Sequence, residues 1–145
     1  MKTSATVSMI LGHKQPGLWS VSPEDTVFEA IKMMADKNVG ALLVLENGKL
    51  QGILSERDYT RKVAIKGKSS NTTKVREILS EVAPVTPDHS VEECMRLMTT
   101  NRVRHLPVLQ GEKIIGIISI GDLVNWTISA QDAAIQQLES YIAGM

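Results

Sequence analysis

The chain carries the same segment twice. Val21-Ser22-Pro23 opens a stretch ending in Gly52-Ile53-Leu54-Ser55-Glu56-Arg57-Asp58, and Val85-Thr86-Pro87 opens another ending in Gly116-Ile117-Ile118-Ser119-Ile120-Gly121-Asp122. The two overlay without a gap at an offset of 64 positions, so that Val27 falls on Val91, Met34 on Met98, Val39 on Val103, Val44 on Val108 and Gly52 on Gly116. A repeat constrains the fold before any local pattern does. The unit is too long, and present in too few copies, for a solenoid. Two such units are expected to close face to face as one pseudo-symmetric pair.

Local signals give each unit the order β-α-β-β-α, an α/β (α+β) arrangement. In the first copy Thr26 is a candidate N-cap with Glu29 completing a capping box, and Val27, Ala30, Ile31, Met34 and Ala35 follow helical spacing. The apolar run 41–45 reads as a buried strand, Asn47-Gly48 as a hairpin turn and residues 50–54 as the return strand. A helix follows from Ser55 to about Lys66. The second copy repeats this: Ser90 and Glu93 as its capping box, strands over 106–109 and 114–118, and a closing helix from Gly121 to Ile142. Residues 3–11 read as a short lead-in helix, broken by Gly12 and Pro16-Gly17. The polar stretch 67–74 is the linker, and residues 75–79 read as a short helix that corresponds to the lead-in, since Met9-Ile10-Leu11 and Glu77-Ile78-Leu79 hold similar places. The division is therefore drawn as 1–73 and 74–145. One unit alone leaves an apolar sheet face uncovered, which pairing buries.

Composition removes several function classes. Sixteen basic and sixteen acidic residues give zero formal net charge, which argues against a nucleic-acid binder held by bulk electrostatics. Scarce aromatics (3%) argue against base stacking. No apolar run approaches a bilayer span, and a reducing cytoplasm is the expected compartment. Cys94 is the single cysteine and lies on an apolar helical face, where a buried, inert thiol is expected. No nucleophile–base set and no metal-ligand spacing is recognisable among His13, His89, His105 and the carboxylates, so catalysis and a metal requirement are not expected.

The repeated element Gly-apolar-apolar-Ser-x-x-Asp lies where a strand gives way to a helix. Its glycine permits close approach of a backbone or ligand. Its serine stands beside the free N–H groups of a helix start, which suit a phosphate. Its aspartate offers two acceptor oxygens to a ribose diol. The same Ser-x-x-Asp is also a plain helix cap, and both readings stand at this point. Arg57, Arg61, Lys62, Lys66 and Lys68 follow the first motif, and Arg102, Arg104 and His105 precede the second hairpin. With two-fold pseudo-symmetry these cations would converge on one cleft between the units, where the arginine fork matches phosphate.

The pattern Val-x-Pro…Met…Val-x-x-Leu-x-Val…Gly-Ile-x-Ser-x-x-Asp resembles the CBS domain, here as a tandem pair (a Bateman module). More narrowly, residues 52–63 (GILSERDYTRKV), 67–75 (GKSSNTTKV) and 101–108 (NRVRHLPV) resemble a stand-alone CBS-pair subgroup of bacteria and plant organelles. The resemblance implies an adenine nucleotide between the repeats. It implies Asp58 and Asp122 as ribose ligands, and Ser55 and Ser119 as phosphate-contacting hydroxyls. Ser22, Pro23, Val39, Gly40 and Ala41 in one half, and Thr86, Pro87, Val103, Arg104 and His105 in the other, would hold the adenine. Arg57, Lys62, Arg104 and His105 would hold the phosphates. Glu56-Arg57 has Ile120-Gly121 as its counterpart, so the sites are expected to be unequal.

The resulting expectation is a non-catalytic sensor of adenine nucleotides. AMP and NAD(H) rank ahead of S-adenosylmethionine, with ATP a further candidate. The resemblance also implies a homodimer, and an unidentified regulated protein is the expected partner. The competing reading is a purely structural dimerisation or interaction module with no ligand.

Overall fold

A computed structural model describes residues 5–14 and 17–143. Thr3 and Ser4 of the expected lead-in helix, and Pro16 of the expected break, lie outside the described residues. Helix α1 (Val7–Leu11) is followed by β1 (Ser20–Val21), α2 (Val27–Lys37), β2 (Ala41–Glu46), β3 (Lys49–Ser55) and α3 (Glu56–Tyr59). The last runs on as one π-helical turn, Thr60–Ala64. A 3-10 turn (Val75–Glu77) leads to α4 (Val91–Asn101), β4 (His105–Gln110), β5 (Lys113–Ser119) and α5 (Ile120–Ala143).

The repeat is visible in the register. β1 runs parallel to β2 through Val21 opposite Val44, and in the second unit Val85 bridges Val108 in parallel. β2 pairs antiparallel with β3, and β4 with β5, each with a bulge at the same place, after Val44 and after Val108. The hairpins close differently. Asn47 and Gly48 both have positive φ (53° and 78°), as a type I′ turn requires, whereas the second turn has only Gly111 in that region (64°). Both mid-unit helices end on a left-handed residue, Asn38 and Arg102. Ser90 and Glu93 form the full reciprocal cap of α4, and those hydrogen bonds hold Glu93 below the usual carboxylate range. Thr26 caps Glu29 N–H, but Glu29 returns no bond, so the expected box is half formed.

Each unit has its own apolar core. Val21, Val27, Ala30, Met34, Leu42, Val44, Leu54 and Val63 form the first; Val85, Val91, Cys94, Met98, Leu106, Val108, Ile118 and Leu123 form the second. Ala41, Leu43 and Ile53 point from the other face of the first sheet yet are buried as well. Strand alternation requires a second body over that face, and the two sheets meet there. Burial pushes the Cys94 thiol up to about 11, so it is protonated at neutral pH.

A division at 73/74 does not follow these cores. Val7 and Ile10 of α1 pack into the second core, whereas Val75 and Ile78 pack into the first. The backbone repeats the crossing. Val7 N–H and Ser8 N–H donate to His89 and Pro87 carbonyls (2.9 and 3.0 Å); Val75 N–H and Arg76 N–H donate to Asp25 and Pro23 carbonyls (both 2.9 Å). The two leading segments are thus counterparts, and each completes the unit it does not directly precede. The physical reason is apolar: Val7-Ile10 and Val75-Ile78 present the same pair of side chains to the same gap beside the helix start of a unit.

Close approach of these segments accounts for the repeated glycine. A Cβ on Gly52 would run into the Ser80 carbonyl and stand 2.8 Å from Leu79 Cδ1; a Cβ on Gly116 would stand 2.8 Å from Leu11 Cδ2. The chain, not a ligand, occupies the space that these glycines leave.

Candidate functional site

The first Ser-x-x-Asp motif is a formed cap. Ser55 N–H and Ser55 Oγ donate to Asp58 Oδ2 (2.9 and 3.0 Å), and Asp58 N–H donates back to Ser55 Oγ (3.2 Å). This box fixes the buried carboxylate and leaves Oδ1 to other partners. Ser80 Oγ donates to it at 2.8 Å and Lys62 Nζ lies at 3.1 Å. Lys62 reaches Asp58 one turn on, across the π-helical turn, and also donates to the Ile78 carbonyl (3.0 Å) and Ser80 Oγ (3.3 Å). Capping and presentation of an acceptor oxygen are thus compatible in one residue.

Around this carboxylate lies a cleft of about 730 Å³. Gly40, Ser55, Arg57, Asp58, Arg61 and Lys62 line it from the first unit, and Arg102, Val103, Arg104 and His105 from the second. The guanidiniums crowd one another: Arg61 first, then Arg104, pushes Arg57 below its ordinary value. Glu56, Asp58 and Glu81 also line the cleft, but Arg57, Arg61, Lys62, Arg102 and Arg104 outnumber them, and such an excess of cations favours a bound anion. His105 faces Gly40, where an added Cβ would lie 3.6 Å from its Cε1 and 3.2 Å from Glu56 Oε1. Burial depresses its pKa, aided by Lys14 and Arg104 and opposed by Asp122.

Asp122 lies elsewhere. Ser119 N–H donates to its Oδ2 (2.8 Å), and Asp122 N–H donates to Ser119 Oγ (3.1 Å), repeating the cap. Lys14 supplies the ion pair at 2.8 Å and also donates to the Ile117 carbonyl. Its cavity, about 440 Å³, is lined by Ile10, His13, Lys14, Asp122, Asn125, Trp126, Ser129 and Ala130. Trp126 stands where the first repeat has Lys62, and its ring meets that of His13 at 5.4 Å. The expected cations from the facing half are therefore absent from this cavity's lining; the lead-in segment and α5 build it instead. The inequality of the sites is larger than a missing arginine: one wall is cationic, the other aromatic.

The remaining sequence-derived residues are placed in the frame of the units. Ser22 N–H donates to Asp25 Oδ2 and Ser22 Oγ accepts from Glu24 N–H in a turn. The Pro23 and Pro87 carbonyls hold the exchanged segments. Thr86 N–H donates to His89 Nδ1. Val39 lines a shallower cavity with Gly40, Met34 and Tyr59, and Ala41 is buried opposite Ser55 in the sheet. Ser80, Lys14 and Trp126 were not singled out from the sequence. Only Trp126 carried a signal there, as the aromatic aligned with Lys62; Ser80 and Lys14 arrive through the crossing of the leading segments.

Among the described residues, no group of three His, Cys, Asp or Glu side chains is arranged to hold a metal, and no helix is long and apolar enough to cross a membrane. The CBS domain family matches residues 15–65 and 75–129. A mitochondrial CBS domain-containing protein of Arabidopsis thaliana, CBSX3, is 41% identical over 97% of this chain and 73% of its own length. A solved structure of a protein with CBS domains from Burkholderia ambifaria superposes with a TM-score of 0.84 at 49% identity, covering 88% of this chain and 96% of that one. The CBS pair of protein MJ0100, solved with 5-methylthioadenosine and S-adenosyl-L-methionine, shares the fold at a TM-score of 0.75 and 21% identity, over 88% of this chain and 99% of that one. Duplicated sequence, paired sheets and two capped Ser-x-x-Asp motifs thus have one source: the chain belongs to the CBS-domain family, as a tandem pair.

Proposed function

We propose that this CBS pair is a non-catalytic regulatory module that binds an adenine nucleotide in the cleft around Asp58. The observation that carries the reading is convergence: Asp58, whose Oδ1 is held by Ser80 and Lys62, shares one cleft with Arg57, Arg61, Arg104 and His105, drawn from both units. A ribose diol would take the place of Ser80 and Lys62 on Asp58 Oδ1, and the phosphate would lie against the guanidiniums. Lys62, released from Asp58, would add a further cation. MJ0100, with two adenosine compounds on the same fold, supports adenosine as the shared feature. The cationic wall favours AMP or NAD(H), then ATP, over the uncharged 5-methylthioadenosine type. Gly40, Val103 and His105, which line the cleft, would meet the base.

Because the cleft joins the units, a bound ligand shifts them toward the relative arrangement it binds more tightly, by no more than its differential affinity. The readout would pass to a regulated protein in the cytoplasm, with the module acting as a homodimer. One observation favours the rival, a ligand-free structural module: both Asp58 oxygens already have internal partners.

Calorimetric titration separates the two. AMP or NAD(H) is expected to bind the native protein, and Asp58→Ala is expected to weaken it at least about tenfold, the scale of one lost charge-assisted hydrogen bond. Asp122→Ala should spare the cleft. Mass spectrometry of material released on denaturing the purified protein names the ligand. No binding by any adenine nucleotide, or equal affinity in Asp58→Ala, returns the decision to the structural reading.

A further inference from the structure

Helix α5 outgrows the body that it belongs to. Leu123 is its one buried residue, and every described position from Ile128 to Ala143 is exposed. These sixteen residues extend about 24 Å. The overhang is not polar all round. Ile128, Ile135 and Ile142 recur every seventh residue, and Val124 and Leu138 fall on the alternate seam position, with Gln131 between them. Ile128 (51%), Ile135 (53%), Leu138 (60%) and Ile142 (60%) remain open to solvent. Ile120 and Val124 carry the same stripe back to the rim of the folded body.

We propose that this stripe is the seam of a parallel, in-register, two-stranded coiled coil with a second copy of the chain. It rests on the self-association proposed above and not on the nucleotide reading. The residue types favour two strands: β-branched isoleucine recurs at the first seam position, and Leu138 at the other makes with Ile135 the pairing that packs best in a dimer. Charge selects the direction. Asp132 and Glu139 are the only charged residues between 123 and 143, and both follow a first-seam isoleucine by four places. In a parallel pair that flank faces Thr127, Ala134 and Tyr141 of the other helix; in an antiparallel pair it faces itself, setting carboxylate against carboxylate. Gln131, the one polar seam residue, meets its own twin only in register, where the two amides can exchange hydrogen bonds. An isolated helix of this length is marginal in water, so the seam also supplies the reason that the overhang is helical at all.

The test uses the full chain. Light scattering after size exclusion is expected to give the dimer mass for the native protein. Ile135→Asp/Leu138→Asp should raise the dimer dissociation constant at least tenfold and give the monomer mass, with nucleotide affinity unchanged. In separate variants, Gln131→Cys and Leu138→Cys should each be joined to its own twin by a short bis-maleimide, while buried Cys94 stays unmodified. A monomeric native chain overturns self-association, and the inference with it. A native dimer that the double substitution leaves intact overturns the α5 seam alone. Cross-linking at only one of the two positions, or at neither, overturns the parallel register.

Discussion

Protonation of His105 depends on its burial and on groups from separate parts of the chain: Lys14 in the lead-in, Asp122 at the start of α5, and Arg104 beside it. Burial, assisted by the two cations, favours the neutral ring. Relative to an unfolded pKa of 6.5, the folded value is depressed, so this residue's stabilising contribution is complete above pH 6.5 and is lost as pH falls toward the folded value. A phosphate in the cleft reverses the preference. Binding then takes up a proton, and affinity for a phosphorylated ligand is expected to rise as pH drops from 7.5 to 6. His105→Ala should flatten that profile, and adenosine, lacking phosphate, should show none; calorimetry over this range checks both. His105 stood out in the sequence as a candidate because it replaces Ala41 of the other copy, and the structure puts it in the lining of the cleft. The influence of Lys14 on it was not legible, because Lys14 arrives from the distant lead-in segment.

At the scale of elements, the repeated glycine has unequal consequences in its two copies. Beside Gly52 the obstacle is a carbonyl of the backbone that pairs with Ile53, which cannot yield without breaking the Ile53–Ser80 bridge. Beside Gly116 the obstacle is the tip of the Leu11 side chain, which can rotate. Gly52→Ala is therefore expected to cost about 2–4 kcal/mol and Gly116→Ala about 1 kcal/mol or less, read from urea unfolding midpoints. Strands, hairpins and caps were readable because each rests on local chemistry: Asn47-Gly48 for the first turn, Ser90 with Glu93 for α4. The π-helical turn after Tyr59 was not readable. It is set by where Lys62 finds the Ile78 carbonyl and Asp58, partners that no short window contains.

The whole molecule is two cores laced together by segments that cross. Val7 and Val75 are both fully buried, each in the core of the unit that it does not directly precede. Val7→Asp is accordingly expected to open the second unit and Val75→Asp the first, each by at least about 3 kcal/mol for an unpaired buried charge. Hydrogen exchange resolved by segment locates the loss: for Val7→Asp, protection should fall first over residues 85–123 rather than 20–63. The 64-residue offset exposed the duplication, and the likeness of Ile10 to Ile78 exposed the paired segments. The exchange itself is a choice between two equal apolar gaps, which composition and spacing cannot make.

That lacing has a consequence for how the chain is born. Residues 5–11 leave the ribosome well before residues 85–123, from which their resting place is built, so they must wait while the intervening chain is made. The first unit needs nothing later than about residue 80 and can close during synthesis. The second unit, emerging later, then captures residues 5–11 across the whole of the first unit, a long-range contact that closes late in folding.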